Sequence, residues 1–223
     1  MRNDPFQAEV AQIALRVSSV HGFALGGGQA LVAHGIVDRP TEDVDLFTDI
    51  DGGVSAAADT VRAALEDAGL KVIPVPDVDE LAGFFEDFEL GMTEWEIHRG
   101  DRVVRLTLAR LERKHSTVVM DIGPVMHIDD VIGSKVAAVA SRAEVRDFID
   151  LAAALDRYSV ARLISLARSI DPGLSDEEFA AAGRRLDAMS DRRFLLSGLT
   201  GDDTRRLRLK LARWPRSEGE VPR

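Results

Sequence analysis

Residues 24–49 read ALGGGQALVAHGIVDRPTEDVDLFTD, and this stretch decides the fold of the chain. It begins with an apolar segment that predicts a short buried strand, followed by a glycine turn and a short helical segment. Glycine lets the backbone approach a ligand closely, and the first N–H groups of a helix are good donors to phosphate oxygens. The turn is therefore a candidate phosphate-binding site, made of Gly26, Gly27 and Gly28.

Two aspartates follow the turn at a spacing that places them side by side. Asp43 and Asp45 stand two residues apart, so in a β-strand both carboxylates project from one face, while Val44 points to the other. Like charges held this close repel each other unless one takes up a proton or a cation lies between them. Mg²⁺ binds through one or two carboxylates together with the phosphates of a substrate. The glycine turn and the aspartate pair together predict a metal–nucleotide site.

The bulk composition is that of an ordinary globular protein. The 223 residues are enough to bury a core, and 45% hydrophobic and 30% charged residues are typical values. The sequence contains no cysteine, which excludes disulfides and thiolate metal sites. It also has no apolar run of 18 residues and no signal-peptide pattern at its start. We therefore expect a cytoplasmic protein with no membrane partner.

The charge is unevenly distributed along the chain. The net charge is −10, but residues 184–223 contain 11 Lys/Arg and 6 Asp/Glu, a net of +5, so the preceding 183 residues carry −15. Screening limits the reach of a charge to about 8–10 Å at physiological salt, so a basic segment on an acidic body can still bind a polyanion. The alternative interpretation is a solvated amphipathic helix.

The hydrophobic pattern divides the chain into a mixed α/β part over residues 1–127, a helical part over 128–214 and a disordered tail over 215–223. Residues 77–101 fit no pattern. The first part is predicted to contain helices over 7–17, 29–34 and 54–68 and strands over 22–25, 44–47, 71–75, 103–109 and 117–122. The second part is predicted to contain helices over 131–143, 145–156, 160–170, 176–189 and 203–213.

Two blocks of sequence carry a resemblance to a known family. The first is GGGQALVAHGIVDRPTEDVDL, and the second combines DDVIGSK at 129–135 with Arg142 and RDFIDL at 146–151. Together they resemble the DNA polymerase β-like nucleotidyltransferase superfamily, and most closely its AbiEii/MenT-like toxin branch, over roughly residues 20–155. The resemblance implies an α/β (α+β) fold, in which a polymerase β-like nucleotidyltransferase core with a mixed sheet is followed by an α-helical C-terminal domain.

The resemblance also implies an activity and its site. The activity is transfer of NMP from an NTP to the 3′ acceptor end of tRNA, which makes the protein a growth-inhibiting toxin with a cognate antitoxin. The cofactor would be Mg²⁺ or Mn²⁺. The implied metal ligands are Asp43, Asp45 and Asp121, the implied nucleotide contacts are the glycine turn, Arg39 and Lys135, and the implied catalytic residues are Asp43, Asp45, Lys135 and Asp147.

Several of these assignments have alternatives. Asp121 would also suit a turn, with Glu94 and Glu96 as weaker substitutes for a third acid. Asp147 and Asp150 share a helix face, and one of them would orient Lys135 or Arg142 or form a surface salt bridge. Two other functions remain: an antibiotic nucleotidyltransferase of the aminoglycoside or lincosamide type, and a non-catalytic nucleotide-binding module.

Thr41 has a possible regulatory role. In the toxin branch, a Ser or Thr stands two residues before the first aspartate. A partner antitoxin can phosphorylate this Ser or Thr. A phosphate on Thr41 would add about −2 charge beside the metal-binding carboxylates. The alternative role for Thr41 is that of a helix-capping residue.

Overall fold

The computed structural model describes residues 4–75 and 91–222. Residues 76–90, which include part of the segment that fits no pattern, lie outside the described residues. The chain divides into two compact units, of which the first ends at His127 and the second begins at Ile128. Among the described residues no helix is long and apolar enough to span a bilayer.

The first unit is built on a mixed sheet. Its elements are α1 (Pro5–Ser18), β1 (Ala24–Leu25), α2 (Gly27–Ala33), β2 (Asp43–Thr48), α3 (Gly53–Asp67), β3 (Lys71–Pro74), β4 (Met92–Arg99), β5 (Arg102–Arg110), β6 (Val118–Met120) and β7 (Gly123–Val125). Within the described residues the seven strands are arranged in the order β3-β4-β5-β2-β1-β7-β6. β2 lies between β5, which runs parallel to it, and β1, which runs antiparallel. The predicted mixed α/β class is confirmed.

The two faces of the central strands differ in character. Along β2 the even-numbered residues Val44 and Leu46 are fully buried, while the two aspartates are only half-buried. On β5 and β4 the neighbours of Val44 in the same row are Leu106 and Trp95, which are also buried. α1 contacts β2 and β5, and α3 contacts β5 and β4. Both helices bury apolar residues of their own. The opposite face of these strands carries the polar side chains.

Part of the first unit differs from the sequence prediction. Where a single strand is predicted over 117–122, the structure has a hairpin of β6 and β7. Asp121 and Ile122 form the turn between these two strands. The second arm begins at Gly123, whose φ of +123° suits glycine. β4 was not predicted either, although its alternation of buried Trp95 and Ile97 with polar residues is typical of a strand.

The second unit is helical. Its elements are α4 (Ile128–Ser141), α5 (Val145–Ala154), α6 (Val160–Ile170), α7 (Asp176–Ala188), α8 (Asp191–Leu196) and α9 (Gly201–Lys210), followed by a 3-10 turn at Leu211–Arg213. α8 was not predicted. α4 and α6 cross so closely that a Cβ atom on Gly133 would lie only 2.7 Å from the carbonyl oxygen of Leu166. Glycine at position 133 thus permits the crossing.

The segment after residue 214, predicted to be disordered, packs on α7 in the structure. A Cβ atom on Gly183 would overlap the carbonyl oxygen of Pro215. Arg216 donates hydrogen bonds to both carboxylate oxygens of Asp187, at 3.1 and 2.8 Å, and its backbone N–H donates to Glu220 at 2.7 Å. The segment is thus held by an ion pair with α7 and by a hydrogen bond within itself.

The close helix crossing makes a testable prediction. Gly133→Ala should lower the free energy of unfolding by about 1–3 kcal/mol, since the added methyl group forces α4 and α6 apart. Urea denaturation measures the change. The matched control is Gly201→Ala, where no atom lies within 4 Å of the added methyl. Equal stability of the two variants would contradict this account of the crossing.

Candidate active site

The glycine turn joins β1 directly to α2. The N–H of Gly26, the residue after β1, donates to the carbonyl of Asp45 at 2.8 Å. Gly27 then adopts a φ of +57° and opens α2, whose N-cap, Gly26, offers no side chain to the helix start. The first N–H groups of an α-helix have no acceptor within the helix. The turn therefore presents backbone donors suited to an anion.

Asp45 lies against this turn. A Cβ atom on Gly27 would overlap the Asp45 carboxylate, so the carboxylate occupies the space that any other residue at position 27 would fill. Glycine is required here for two independent reasons, its positive φ and this contact. The metal-binding candidate and the phosphate-binding candidate are thus in direct contact.

Asp43 and Asp45 share the polar face of the sheet, as predicted from their spacing. In the register of β2 with β5, Asp43 pairs with Arg105 and Asp45 pairs with Thr107. The next strand, β4, continues both rows with Glu96 beside Arg105 and Glu94 beside Thr107. Thr107 Oγ1 donates to Glu94 Oε1 at 3.2 Å. The two glutamates that sequence reasoning ranked below Asp121 therefore lie on the same face as the aspartate pair.

Asp121 is not brought to the aspartate pair. β7 runs parallel to β1 with Val125 beside Leu25, so the end of β7 lies next to the glycine turn. Asp121 precedes the start of β7 and lies at the opposite end of the strand. There it borders an open pocket with Gln12 and Arg16 of α1. This placement supports the turn interpretation of Asp121.

The loop before β2 folds over the start of α2. A Cβ atom on Gly28 would lie 3.2 Å from Thr41 Cγ2 and 3.5 Å from an Arg39 guanidinium nitrogen. Arg39 Nη1 also donates to the carbonyl of Pro40 at 3.0 Å. The structure thus brings the Arg39 guanidinium to the glycine turn. Two buried glutamines, Gln7 and Gln29, hold the same loop, and of these the sequence analysis missed Gln7.

Lys135, in the second unit, forms an ion pair with a fully buried carboxylate. Its ammonium nitrogen on α4 lies 3.1 Å from Asp150 Oδ2 on α5, with side-chain exposures of 18% and 0%. Of the two aspartates on α5, the one that faces Lys135 is therefore Asp150. The three-residue spacing of Asp147 and Asp150 alone could not show which of the two faces Lys135.

Asp147 has a different set of partners. Its carboxylate accepts two hydrogen bonds from Arg142, at 2.9 and 3.0 Å, and one from the N–H of Glu144 at 3.2 Å. The last bond is half of a capping box at the start of α5. Asp147, although buried, is thus engaged in holding Arg142 and the helix start.

The basic segment is largely paired within the second unit. Arg205 and Arg206 pair with the aspartates three residues earlier on α9, and Lys210 pairs with Asp156 at 2.6 Å. Thr200 and Arg206 both hydrogen-bond the Asp203 carboxylate, which lowers its pKa to about 2. Trp214 is buried, and its indole N–H donates to the Phe179 carbonyl at 3.0 Å. The aspartates on α9 are already included in the net charge of +5, whereas Asp156 lies outside the segment, so its pair with Lys210 leaves less positive charge for a polyanion than that number suggests.

A mixed sheet with paired carboxylates beside a glycine turn is the arrangement expected of a nucleotidyltransferase. Residues 13–208 match the family described as Nucleotidyl transferase AbiEii toxin, Type IV TA system. The chain belongs to this family of nucleotidyltransferase toxins, which confirms the resemblance drawn from the two sequence blocks. Membership implies an NTP substrate and an antitoxin partner. A comparison with curated proteins gave no match.

Solved structures resemble the chain in fold. JHP933 from Helicobacter pylori is 15% identical, with a TM-score of 0.54, and the match covers 92% of this chain and 90% of that one. A second H. pylori structure is 13% identical, with a TM-score of 0.56 over 93% and 92% of the two chains. MenT4, a nucleotidyltransferase toxin from Mycobacterium tuberculosis H37Rv, is 16% identical, with a TM-score of 0.45 over 98% and 76%.

The contact between Asp45 and Gly27 leads to a prediction about binding. Gly27→Ala should abolish Mg²⁺-dependent NTP binding, because the methyl group displaces the Asp45 carboxylate from the turn. Binding is measured by calorimetric titration with each of the four NTPs.

The matched control for Gly27→Ala is Gly52→Ala. Gly52 also has a positive φ, +70°, next to the start of a helix, but no atom lies within 4 Å of the added methyl. Both variants carry backbone strain of roughly 1–2 kcal/mol. Only Gly27→Ala should lose binding, so normal NTP affinity in that variant would contradict the proposed contact.

Proposed function

We propose that this toxin transfers NMP from an NTP to the 3′ acceptor end of tRNA in the cytoplasm and uses a divalent metal ion to do so. The observation that supports this most directly is the contact of the Asp45 carboxylate with Gly27. In the proposal, this carboxylate binds the metal ion and the backbone N–H groups beside it donate to the phosphates. An NTP is a substrate that needs both at once, since its phosphates bind the ion and the backbone together.

The residues present fit a divalent ion. Asp43 and Asp45 are half-buried oxygen ligands on one face of a rigid strand, which is the donor type that Mg²⁺ and Mn²⁺ prefer. When bound, the ion would offset the charge that develops on the phosphate oxygens during in-line attack. We assign the ion to these two aspartates and leave Asp121 out of the ligand set, because it lies at the far end of β7.

The chain's own groups would bind and orient the nucleotide. The N–H groups of Gly27 and Gly28 would donate to phosphate oxygens, and the Arg39 guanidinium beside them would pair with a phosphate. Lys135 would supply a positive charge or a proton to the leaving pyrophosphate. Asp150 would act as its positioning residue, since it holds the ammonium group at 3.1 Å. Asp147 would act indirectly by holding Arg142.

The toxin family favours tRNA over an antibiotic as the acceptor. Modification of an antibiotic protects the cell, whereas a toxin must inactivate a component that growth requires. Loss of a free tRNA 3′ end blocks aminoacylation and meets that condition. A non-catalytic module is disfavoured because both carboxylates and the glycine turn keep a geometry that would bind metal and phosphate.

Transfer to tRNA can be tested directly. We expect purified protein incubated with total tRNA, Mg²⁺ and a single α-³²P-labelled NTP to label tRNA with one or two of the four NTPs. Asp43→Ala should abolish labelling, because it removes a metal ligand, and should leave the thermal stability unchanged or raised. Asp59→Ala, which removes an exposed acid on α3, serves as the control and should label normally.

The outcomes separate the alternatives. Label on tRNA that is retained in Asp43→Ala would contradict the metal site. NTP binding without label on tRNA would point to a small-molecule acceptor, tested by adding aminoglycosides and lincosamides. No NTP binding by the wild-type protein would favour the non-catalytic module.

Phosphorylation of Thr41 by the antitoxin is a further part of this proposal. The Thr41 hydroxyl donates to Gln7 Oε1 at 3.0 Å, and its methyl group lies near Gly28, so a phosphate on that hydroxyl would break the bond to Gln7 and add negative charge close to the glycine turn. Thr41→Glu should therefore abolish labelling of tRNA, while Thr41→Ala should keep most of it. Full activity of Thr41→Glu would remove the support for this mode of control.

A further inference from the structure

The segment 41–45, here called the aspartate segment, has three backbone carbonyls on its β1 side that need hydrogen-bond donors. They belong to Thr41, Asp43 and Asp45. The carbonyl of Asp45 faces β1, because it accepts from the N–H of Gly26, and residues two apart in extended chain point the same way. β1 has only two residues, which pair with Leu46 and Phe47. It therefore offers no N–H to the carbonyls of Asp43 and Thr41. Buried carbonyls without a donor destabilise a fold.

Two glutamine side chains supply the missing donors. Gln29 Nε2 donates to the carbonyl of Asp43 at 3.2 Å, and Gln7 Nε2 donates to the carbonyl of Thr41 at 2.7 Å. With the Gly26 N–H at 2.8 Å from the carbonyl of Asp45, the three alternate carbonyls are all satisfied. The two side-chain amides thus take the place of the backbone N–H groups that a longer β1 would have offered.

The two glutamines also bind each other. Gln29 Nε2 donates to Gln7 Oε1 at 3.4 Å, and the Thr41 hydroxyl donates to the same oxygen at 3.0 Å. Gln29 is only 1% exposed and Gln7 only 6%, so water does not replace these bonds. The direction of the Gln29 amide is fixed by its neighbours, because both groups it faces are acceptors. Its own Oε1 is buried without a hydrogen-bond partner in the described part of the chain.

Gln29 belongs to α2, directly after the glycine turn. The helix that begins at the phosphate-binding turn is therefore joined through one buried amide to the backbone of a metal-binding aspartate. We propose that Gln29, assisted by Gln7, is a positioning residue that fixes Asp43 relative to the glycine turn and so sets the affinity for the metal–nucleotide complex. This inference rests on the proposed function for its effect on binding.

Gln29→Met tests the proposal, because methionine has a similar length and packs well in a core but has no N–H to donate. The matched control is Thr48→Val at the other end of β2. Thr48 is also fully buried, and its hydroxyl donates to the carbonyl of His21 at 2.7 Å. Each variant removes a buried donor to a backbone carbonyl, but only Gln29 contacts the aspartate segment.

Two measurements distinguish positioning from general stability. The first is the Mg²⁺ concentration that gives half-maximal NTP binding, which should rise about tenfold in Gln29→Met and stay at the wild-type value in Thr48→Val. The second is amide hydrogen exchange over residues 42–46, which should accelerate in Gln29→Met and not in Thr48→Val. Both variants should lower the melting temperature to a similar extent.

The results separate this proposal from the proposed function. Wild-type protein that binds no NTP in the presence of Mg²⁺ would overturn the proposed function, while the exchange measurement would still report on positioning. If the wild type binds NTP and Gln29→Met has the wild-type Mg²⁺ dependence, the positioning role is overturned and the nucleotidyltransferase assignment stands. Unchanged exchange over residues 42–46 would likewise overturn it.

Discussion

The register of β2 is the constraint on which the site depends. Val44 and Leu46 are fully buried on one face of the strand, and the two aspartates between and beside them occupy the other. Because side chains alternate strictly, a slip of one residue would bury both carboxylates and expose both apolar side chains. Such a slip loses apolar burial and leaves two charges in the core at once. Packing of Val44 and Leu46 on one face of β2 therefore fixes the positions of the two carboxylates on the opposite face.

The parts of the fold that were predictable are those in which several local signals agree. The glycine turn and β2 combine a special backbone requirement with strict alternation, and the structure has both. The β6–β7 hairpin was missed because Gly123 and Pro124 occupy its second strand, and both residue types are rare in strands. That miss also explains Asp121: a turn after Met120 reverses the chain and carries the carboxylate away from the end of the sheet where the aspartate pair lies.

The partners of charged residues were less predictable than their positions. Asp147 and Asp150 lie one helical turn apart, so spacing places both on one face without deciding which of them meets Lys135. The deciding factor is local: Asp147 is the N3 residue of α5, where its carboxylate caps the helix and pairs with Arg142. The basic segment shows the same limit. The count of +5 already includes Asp202 and Asp203, which pair with Arg205 and Arg206, but it could not show that Lys210 pairs with Asp156, which lies outside the segment.

In the proposed function, the ion pair between Lys135 and Asp150 would serve the chemistry rather than the stability of the fold. Removing two charges from water costs several kcal/mol for each ion, and the mutual attraction of the pair often does no more than offset that cost. Replacement of a buried ion pair by apolar residues of similar volume is often neutral or stabilising. What the ion pair provides instead is an ammonium group, 18% exposed, that is held in one position by a carboxylate with no exposure at all. A lysine so held has lost much of its conformational entropy before any anion arrives, which lowers the entropic cost of binding a phosphate.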